Sequence, residues 1–163
     1  MSSIAGSGEI KLGAGTLTTI GNTSTTFSGI MSGSGGFIKS GTSTLTLSGE
    51  NTYSGPTNIT GGILEIATIN GSATGAGNVI VGVSGTLAGT GTIGILSGQG
   101  NTTVNGALEP GSATLGGVGE LTIRGGLTMG STGKIIMELG ETIGLVSDKI
   151  DIADGNVMLE HIK

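Results

Sequence analysis

The chain has 163 residues, of which 36 are Gly and 10% are charged, with no Cys and a formal net charge of −5. Its single Arg, Arg124, and five scattered Lys form no basic stripe that could neutralise phosphates, so we expect no nucleic-acid partner. Leu, Ile, Val and Phe account for 42 residues, about 26%, which exceeds the level of disordered chains and predicts one domain over 1–163 with a thin aliphatic core.

Short runs that alternate apolar and polar residues recur along the whole chain, and they end at Gly, Asn or small polar residues. In chain order these runs include GEIKL, GTLTTI, TLTLS, GILEI, NVIVGV, GTIGIL, GELTI, GKIIMEL and DKIDI. Apolar residues at every second position predict half-buried strands. The Gly-rich sequence contains no stretch in which apolar residues recur with the spacing of a helix. The sequence therefore predicts an all-β chain.

The same alternation predicts which side chains point into the core, because neighbouring residues of a strand face opposite sides. Glu65 lies between two inward positions and is expected to face water. The predicted inward residues are Leu45 and Leu47; Leu64 and Ile66; Val79, Val81 and Val83; Leu121 and Ile123; Ile135, Met137 and Leu139; and Ile150 and Ile152.

Most breaks between the strands are Gly-rich corners rather than the two-residue Asn-Gly turns that join antiparallel strands. Such corners are typical of a solenoid, in which each coil buries its apolar face against the next coil. At about 20–25 residues per coil, we predict about seven coils. We expect the ring of Tyr53, the only Tyr, to pack over the corner after TLTLS with its hydroxyl in water.

The segment TLTLSGENTYSGPTNITGGILEI, residues 44–66, resembles the passenger-associated transport repeat, also called the autotransporter-associated β-strand repeat. The sequences on either side also resemble those that flank this repeat in the family. They are FSGIMSGSGGFIKSGTS at 27–43 and SGTLAGTGTIG at 84–94. Two departures are Pro56, where the family usually has Gly, and Ile63, where it usually has Thr. The predicted structural motif of the repeat consists of Leu45, Leu47, Gly49, Asn51, Tyr53, Gly55, Gly62, Leu64 and Ile66.

The resemblance implies a right-handed parallel β-helix that is secreted or displayed on the bacterial outer membrane by type V secretion. It also implies a C-terminal translocator β-barrel in the full-length protein, so we expect 1–163 to be a segment of a longer passenger. The expected function is non-enzymatic: a rigid stalk that aids export and folding. The alternative is an adhesive or self-associating module that assembles end to end through open solenoid edges.

Two Gly-rich patterns resemble ligand-binding motifs, one for nucleotides and one for calcium, but are better explained as solenoid corners. Gly89–Gly94 matches G-x-G-x-x-G, yet nucleotide binding also needs a helix after the glycines, and ILSGQGNTT is not helical. The pattern at 116–124 resembles a calcium-binding nonapeptide but has Leu121 where the ligand Asp belongs.

Few polar residues are candidates for a catalytic or metal-binding site. Asp148, Asp151 and Asp154 are three residues apart, a spacing that on a strand does not converge on one ion. His161, the only His, lies two residues from the C-terminus. We therefore expect no catalytic residue, metal, cofactor or small-molecule substrate. Carboxylates that converge with Arg124 or a Lys in one groove would instead favour an enzyme.

Overall fold

The structure is a computed structural model, and it describes residues 2–111, 118–138, 148–153 and 157–159. These residues contain strands and no helix. In chain order the strands are β1 (Glu9–Gly13), β2 (Leu17–Thr19), β3 (Thr25–Phe27), β4 (Ile30–Gly33), β5 (Phe37–Lys39), β6 (Thr44–Leu47), β7 (Thr57–Ile59), β8 (Gly62–Ile66), β9 (Val79–Val81), β10 (Gly85–Gly89), β11 (Thr92–Ile93), β12 (Thr102–Val104), β13 (Ala107–Pro110), β14 (Glu120–Ile123), β15 (Leu127–Met129), β16 (Lys134–Ile135), β17 (Lys149–Ile152) and β18 (Val157–Leu159).

Each of these strands pairs in parallel with the equivalent strand of a neighbouring coil. One side of the solenoid is a seven-stranded sheet in the order β2-β5-β7-β9-β12-β15-β18, and a second side is a six-stranded sheet in the order β3-β6-β8-β10-β13-β16. The third side carries β1-β4 toward the N-terminus and β11-β14-β17 toward the C-terminus. The predicted all-β, parallel solenoid is confirmed.

Two central coils cross the third side without a regular strand, at 48–56 and 67–78. Their backbone is nevertheless paired with the coils above and below. The amide of Thr52 donates to the carbonyl of Met31 at 2.9 Å, and the amide of Ala76 donates to the carbonyl of Tyr53 at 2.9 Å. The stacking of coils is therefore continuous on this side as well.

The pairing register gives the length of each coil. Leu17 pairs with Phe37, 20 residues later, whereas Leu127 pairs with Val157, 30 residues later. The larger sheet takes one strand from each coil, so its seven strands agree with the predicted seven coils. The last described coil is longer than the predicted 20–25 residues, because the spacing between paired strands increases toward the C-terminus.

The core is a column of aliphatic side chains between the three sides. Within the six-stranded sheet, Leu45, Leu64, Leu87 and Leu108 are in register on four successive strands, and all four are buried. Ile150 and Ile152 are half-buried against the same core. Burial is confirmed for the predicted inward residues Leu45, Leu47, Leu64, Ile66, Val79, Val81, Leu121 and Ile123.

Three predicted inward residues are exposed instead. Val83 is 73% exposed because β9 ends at Val81, and the strand alternation does not extend past that point. Ile135 lies on β16, the last strand of the six-stranded sheet, and Met137 follows that strand; both are exposed. Leu139 lies outside the described residues.

Glu65 was also predicted wrongly, because it is buried rather than in water. It does lie on the outward face of β8, in register with Thr46 on β6 and Ala88 on β10. The Thr46 hydroxyl donates to Glu65 Oε2 at 2.8 Å. A hydrogen bond of this kind stabilises a carboxylate that has lost part of its hydration.

Candidate functional site

The predicted repeat motif begins and ends with two strands of the six-stranded sheet. β6 and β8 are adjacent, with Leu45 opposite Leu64 and Leu47 opposite Ile66. All four side chains are buried in the core. Because each makes apolar contact with the coil before and the coil after, these strands connect the repeat to both of its neighbours.

Asn51 lies between these strands, on the third side, and its buried side chain joins three coils. Its Oδ1 accepts the amide N–H of Met31 in the preceding coil at 2.7 Å. Its Nδ2 donates to the carbonyl of Ala73 in the following coil at 2.6 Å. The side chain thus satisfies backbone groups that no regular strand pairs at this corner.

Tyr53 lies two residues further along and also points into the core. The whole side chain is buried, and its hydroxyl lies 2.5 Å from Oγ1 of Thr57. The prediction of a hydroxyl in water is therefore wrong. Burial raises the pKa of Tyr53 well above its ordinary value, and the hydrogen bond to Thr57 opposes part of that rise.

The glycines of the motif allow close contact between coils. A Cβ on Gly49 would overlap the carbonyl oxygen of Gly29, and one on Gly55 would overlap that of Gly35. Gly62 has φ of +65°, a left-handed conformation that side chains with a Cβ rarely adopt. The repeat therefore needs Gly at 49 and 55 for space and at 62 for backbone conformation.

Lys39 is a buried cation that the sequence analysis did not identify. Its Nζ donates to the carbonyls of Ser40, Gly41 and Gly61 at 3.1, 3.5 and 3.2 Å. Desolvation lowers the pKa of Lys39. The sequence could have predicted this burial, because residues 37 and 39 of the strand FIK point to the same side and Phe37 points into the core.

Carboxylates gather near the C-terminal half of the six-stranded sheet. Burial raises the pKa of Glu109, and the negative charges of Glu138, Asp148 and Glu65 raise it further. Asp148 is buried and accepts the backbone N–H groups of Gly119 at 2.8 Å and Glu138 at 2.5 Å. This carboxylate therefore holds two backbone segments together.

The glycine pattern at 89–94 and Arg124, which the sequence suggested as possible ligand-binding or catalytic residues, have structural roles. The glycines of Gly89–Gly94 are followed by no helix, and Thr92 and Ile93 within the pattern form strand β11. Arg124 donates from Nη1 to the carbonyl of Ile95 at 2.6 Å. Residues 90–91 and Arg124 therefore lie at corners of the solenoid, whereas Thr92 and Ile93 belong to one of its sides.

Asp151 is half-buried on β17 opposite Thr122, away from the backbone groups that Asp148 binds. No group of three or more His, Asp or Glu side chains that could hold a metal occurs in the part of the chain that the structure describes. Asp154, His161 and residues 116–117 of the nonapeptide pattern lie outside it.

Membrane-spanning helices are also absent from the described ranges, since none of these residues forms a long apolar helix.

A family model described as passenger-associated-transport-repeat matches residues 37–66. This match begins at β5, ahead of the segment 44–66 that the sequence analysis selected, and ends with β8.

Two relatives are similar to longer stretches of the chain. "Adhesin BmaC autotransporter" of Brucella suis biovar 1 (strain 1330) is 45% identical over 91 residues, which are 55% of this chain and 2% of that protein. "Extracellular serine protease" of Serratia marcescens is 48% identical over 64 residues, which are 39% of this chain and 6% of that protein. The chain thus spans a small fraction of both relatives. No solved structure matches it significantly.

Proposed function

From the autotransporter passenger repeat that residues 37–66 form, we propose that this β-solenoid is a rigid, non-enzymatic stalk segment of a secreted or surface-displayed passenger. The observation that carries the proposal is the unbroken parallel pairing from coil to coil, together with one continuous core. A structure in which each coil is held by both neighbours resists bending and spaces the parts at its two ends.

We further propose that the segment aids export. Each coil buries its apolar face only when the next coil stacks on it, so folding can progress coil by coil as the chain emerges. The chain has no Cys and therefore carries no disulfide that would oppose passage in an unfolded state. In the full-length protein, the partner that this function requires is a C-terminal translocator.

The motif of Leu45, Leu47, Gly49, Asn51, Tyr53, Gly55, Gly62, Leu64 and Ile66 is proposed as the structural unit of this function. Its strand residues supply the core, its glycines supply close coil contact, and Asn51 satisfies backbone groups of two other coils. None of these roles involves a substrate. The resemblance to a serine protease concerns 6% of that enzyme and supports no catalytic role for this chain.

The test uses the full-length protein that contains this segment, expressed in its bacterium. Deletion of 37–56 removes one coil in register, because Phe37 pairs with Thr57 and the join restores the corner. Replacement of Gly49 by Val blocks stacking in the same repeat. We expect normal surface display from the deletion and strongly reduced display from the substitution. Equal display of both would contradict a role of coil folding in export.

A second candidate function is end-to-end self-association. Val157 and Met158 on β18 are exposed, as are Ile136 and Met137 just after β16, and both strands are the last described members of their sheets. Such edges favour addition of another strand. Small-angle X-ray scattering over a concentration series tests this: a rod that lengthens with concentration supports assembly, and a constant monomeric rod contradicts it.

A further inference from the structure

A groove of about 630 Å³ crosses the outside of three successive corners where the seven-stranded sheet leads into the six-stranded sheet. We call it the corner groove. It is lined by residues 83–86 of the first corner, 105–107 of the second and 131–134 of the third. It runs along the solenoid axis, so an extended ligand in it would contact three coils.

Two glycines contribute backbone to the wall of the corner groove. Gly85 and Gly106 line it and are buried, and a Cβ on Gly106 would overlap the carbonyl oxygen of Gly85. The next outward positions, Thr86, Ala107 and Lys134, are in register on β10, β13 and β16. The backbone therefore forms the base of the groove, and one column of side chains forms its edge.

The side chains in the corner groove are mostly uncharged hydrogen-bonding groups. Ser84, Thr86 and Ser131 supply hydroxyls, and Asn105 supplies an amide. Among the described residues of the lining, Val83 is the one large apolar side chain, and none of them is aromatic or carries a carboxylate. This lining suits a ligand rich in hydroxyl groups more than a peptide, because peptide interfaces depend on aromatic and apolar anchors.

Lys134 is the only charged residue in the described part of the lining. Lys11 and Lys149 lie beside carboxylates, and Lys39 and Arg124 donate to backbone carbonyls. Within the described ranges Lys134 alone among the cations has no hydrogen-bonding or ionic partner for its side chain. The unpaired ammonium is a local positive charge in a groove whose described lining contains no carboxylate, and this favours an anionic ligand at that point.

We propose that the corner groove binds an acidic oligosaccharide, in which Lys134 pairs with a carboxylate or sulfate and the hydroxyl and amide side chains bind the sugar hydroxyls. At about 4.8 Å between coils, three corners offer about 10 Å of binding surface along the axis. This binding activity is independent of the stalk function, because it uses the outward face of coils whose inward face forms the core.

The test is isothermal titration calorimetry of the 163-residue protein with four probes. These are a galacturonate tetrasaccharide, a chondroitin sulfate tetrasaccharide, maltotetraose and tetraglutamate. We expect saturable binding of at least one acidic sugar, weak or absent binding of the other two probes, and weaker binding at higher salt. Lys134→Ala should weaken the acidic sugar about fivefold, and Lys134→Arg should retain it.

Two further variants locate the site. Ala107→Leu fills the groove without a change of charge and should lower affinity. Lys11→Ala removes an exposed cation elsewhere and should leave affinity unchanged. The proposal is overturned if neither acidic sugar binds, if maltotetraose or tetraglutamate binds as tightly, or if Lys134→Ala and Ala107→Leu bind like the unmodified protein. Circular dichroism confirms that each variant is folded.

Discussion

The hydroxyl of Tyr53 and the hydroxyl of Thr57 lie 2.5 Å apart inside the solenoid, and both side chains are wholly buried. Their separation of four residues spans the corner between the third side and the seven-stranded sheet. The only Tyr of the chain thus fastens this corner with a hydrogen bond while its ring fills the core.

Tyr53→Phe should keep the ring packing and remove this hydrogen bond, leaving the Thr57 hydroxyl buried without its partner. We expect a loss of about 1–2 kcal/mol in the free energy of unfolding, measured by urea denaturation. Thr57→Val should cost a similar amount. The double variant should cost less than the sum of the two, since a single interaction is removed; additive losses would show that the hydroxyls do not interact.

Asn51→Ala should destabilise the protein by about 2–4 kcal/mol, because it leaves the Met31 amide and the Ala73 carbonyl without their buried partner. The matched control is Asn58→Ala on the half-buried outward face of β7, which should change stability by less than about 0.5 kcal/mol. Urea denaturation at pH 7 compares the two. Equal effects would mean that Asn51 does not join the coils.

Gly49→Ala should destabilise the protein by about 3 kcal/mol or more, because the new Cβ overlaps the carbonyl oxygen of Gly29 and separates two coils. Gly8→Ala is the control, since a Cβ there meets no atom within 4 Å. Thermal unfolding followed by circular dichroism should show a large fall in Tm for the first variant. A similar Tm for both would contradict the close stacking.

Lys39→Met should keep most of the packing but remove the donors to three carbonyls, with an expected loss of about 1–3 kcal/mol. Because burial lowers the pKa of Lys39, the unfolded chain binds more protons as the pH approaches its ordinary value of 10.5. Its contribution to stability therefore rises with pH. Tyr53, whose pKa is raised on folding, acts in the opposite direction near pH 10 in every variant, so the test is a difference. Urea denaturation at pH 7 and pH 10 should show that the change in stability with pH is less favourable in Lys39→Met than in the unmodified protein or in Lys11→Met.

Glu109→Gln should stabilise the protein at pH 7 by less than about 1 kcal/mol, because it removes one of several nearby negative charges from a half-buried position. The pKa of Glu109 is raised on folding, so the folded state holds its proton more tightly, and acid removes the penalty. The gain should be present at pH 7 and shrink as the pH falls toward 4. The exposed Glu50→Gln should show no such gain, and a gain for Glu109→Gln that persists in acid would contradict the charge effect.

Alternation and glycine content alone determined that this chain is all-β and that its strands stack as parallel coils. These features follow from backbone sterics and side-chain period, which act between residues near each other in sequence. The same local rule placed Leu45, Leu47, Leu64 and Ile66 correctly in the core. It was wrong for Val83, since alternation holds only within a strand and β9 ends at Val81.

Contacts between coils decided the rest, and these join residues 20 or more positions apart. Glu65 is buried although it faces outward, and the hydroxyl of Tyr53 meets Thr57 rather than water. The corner groove needs three coils of different lengths to be stacked before it exists. Local sequence fixes the direction of a side chain in a strand, but only the stacked neighbours determine what that side chain meets.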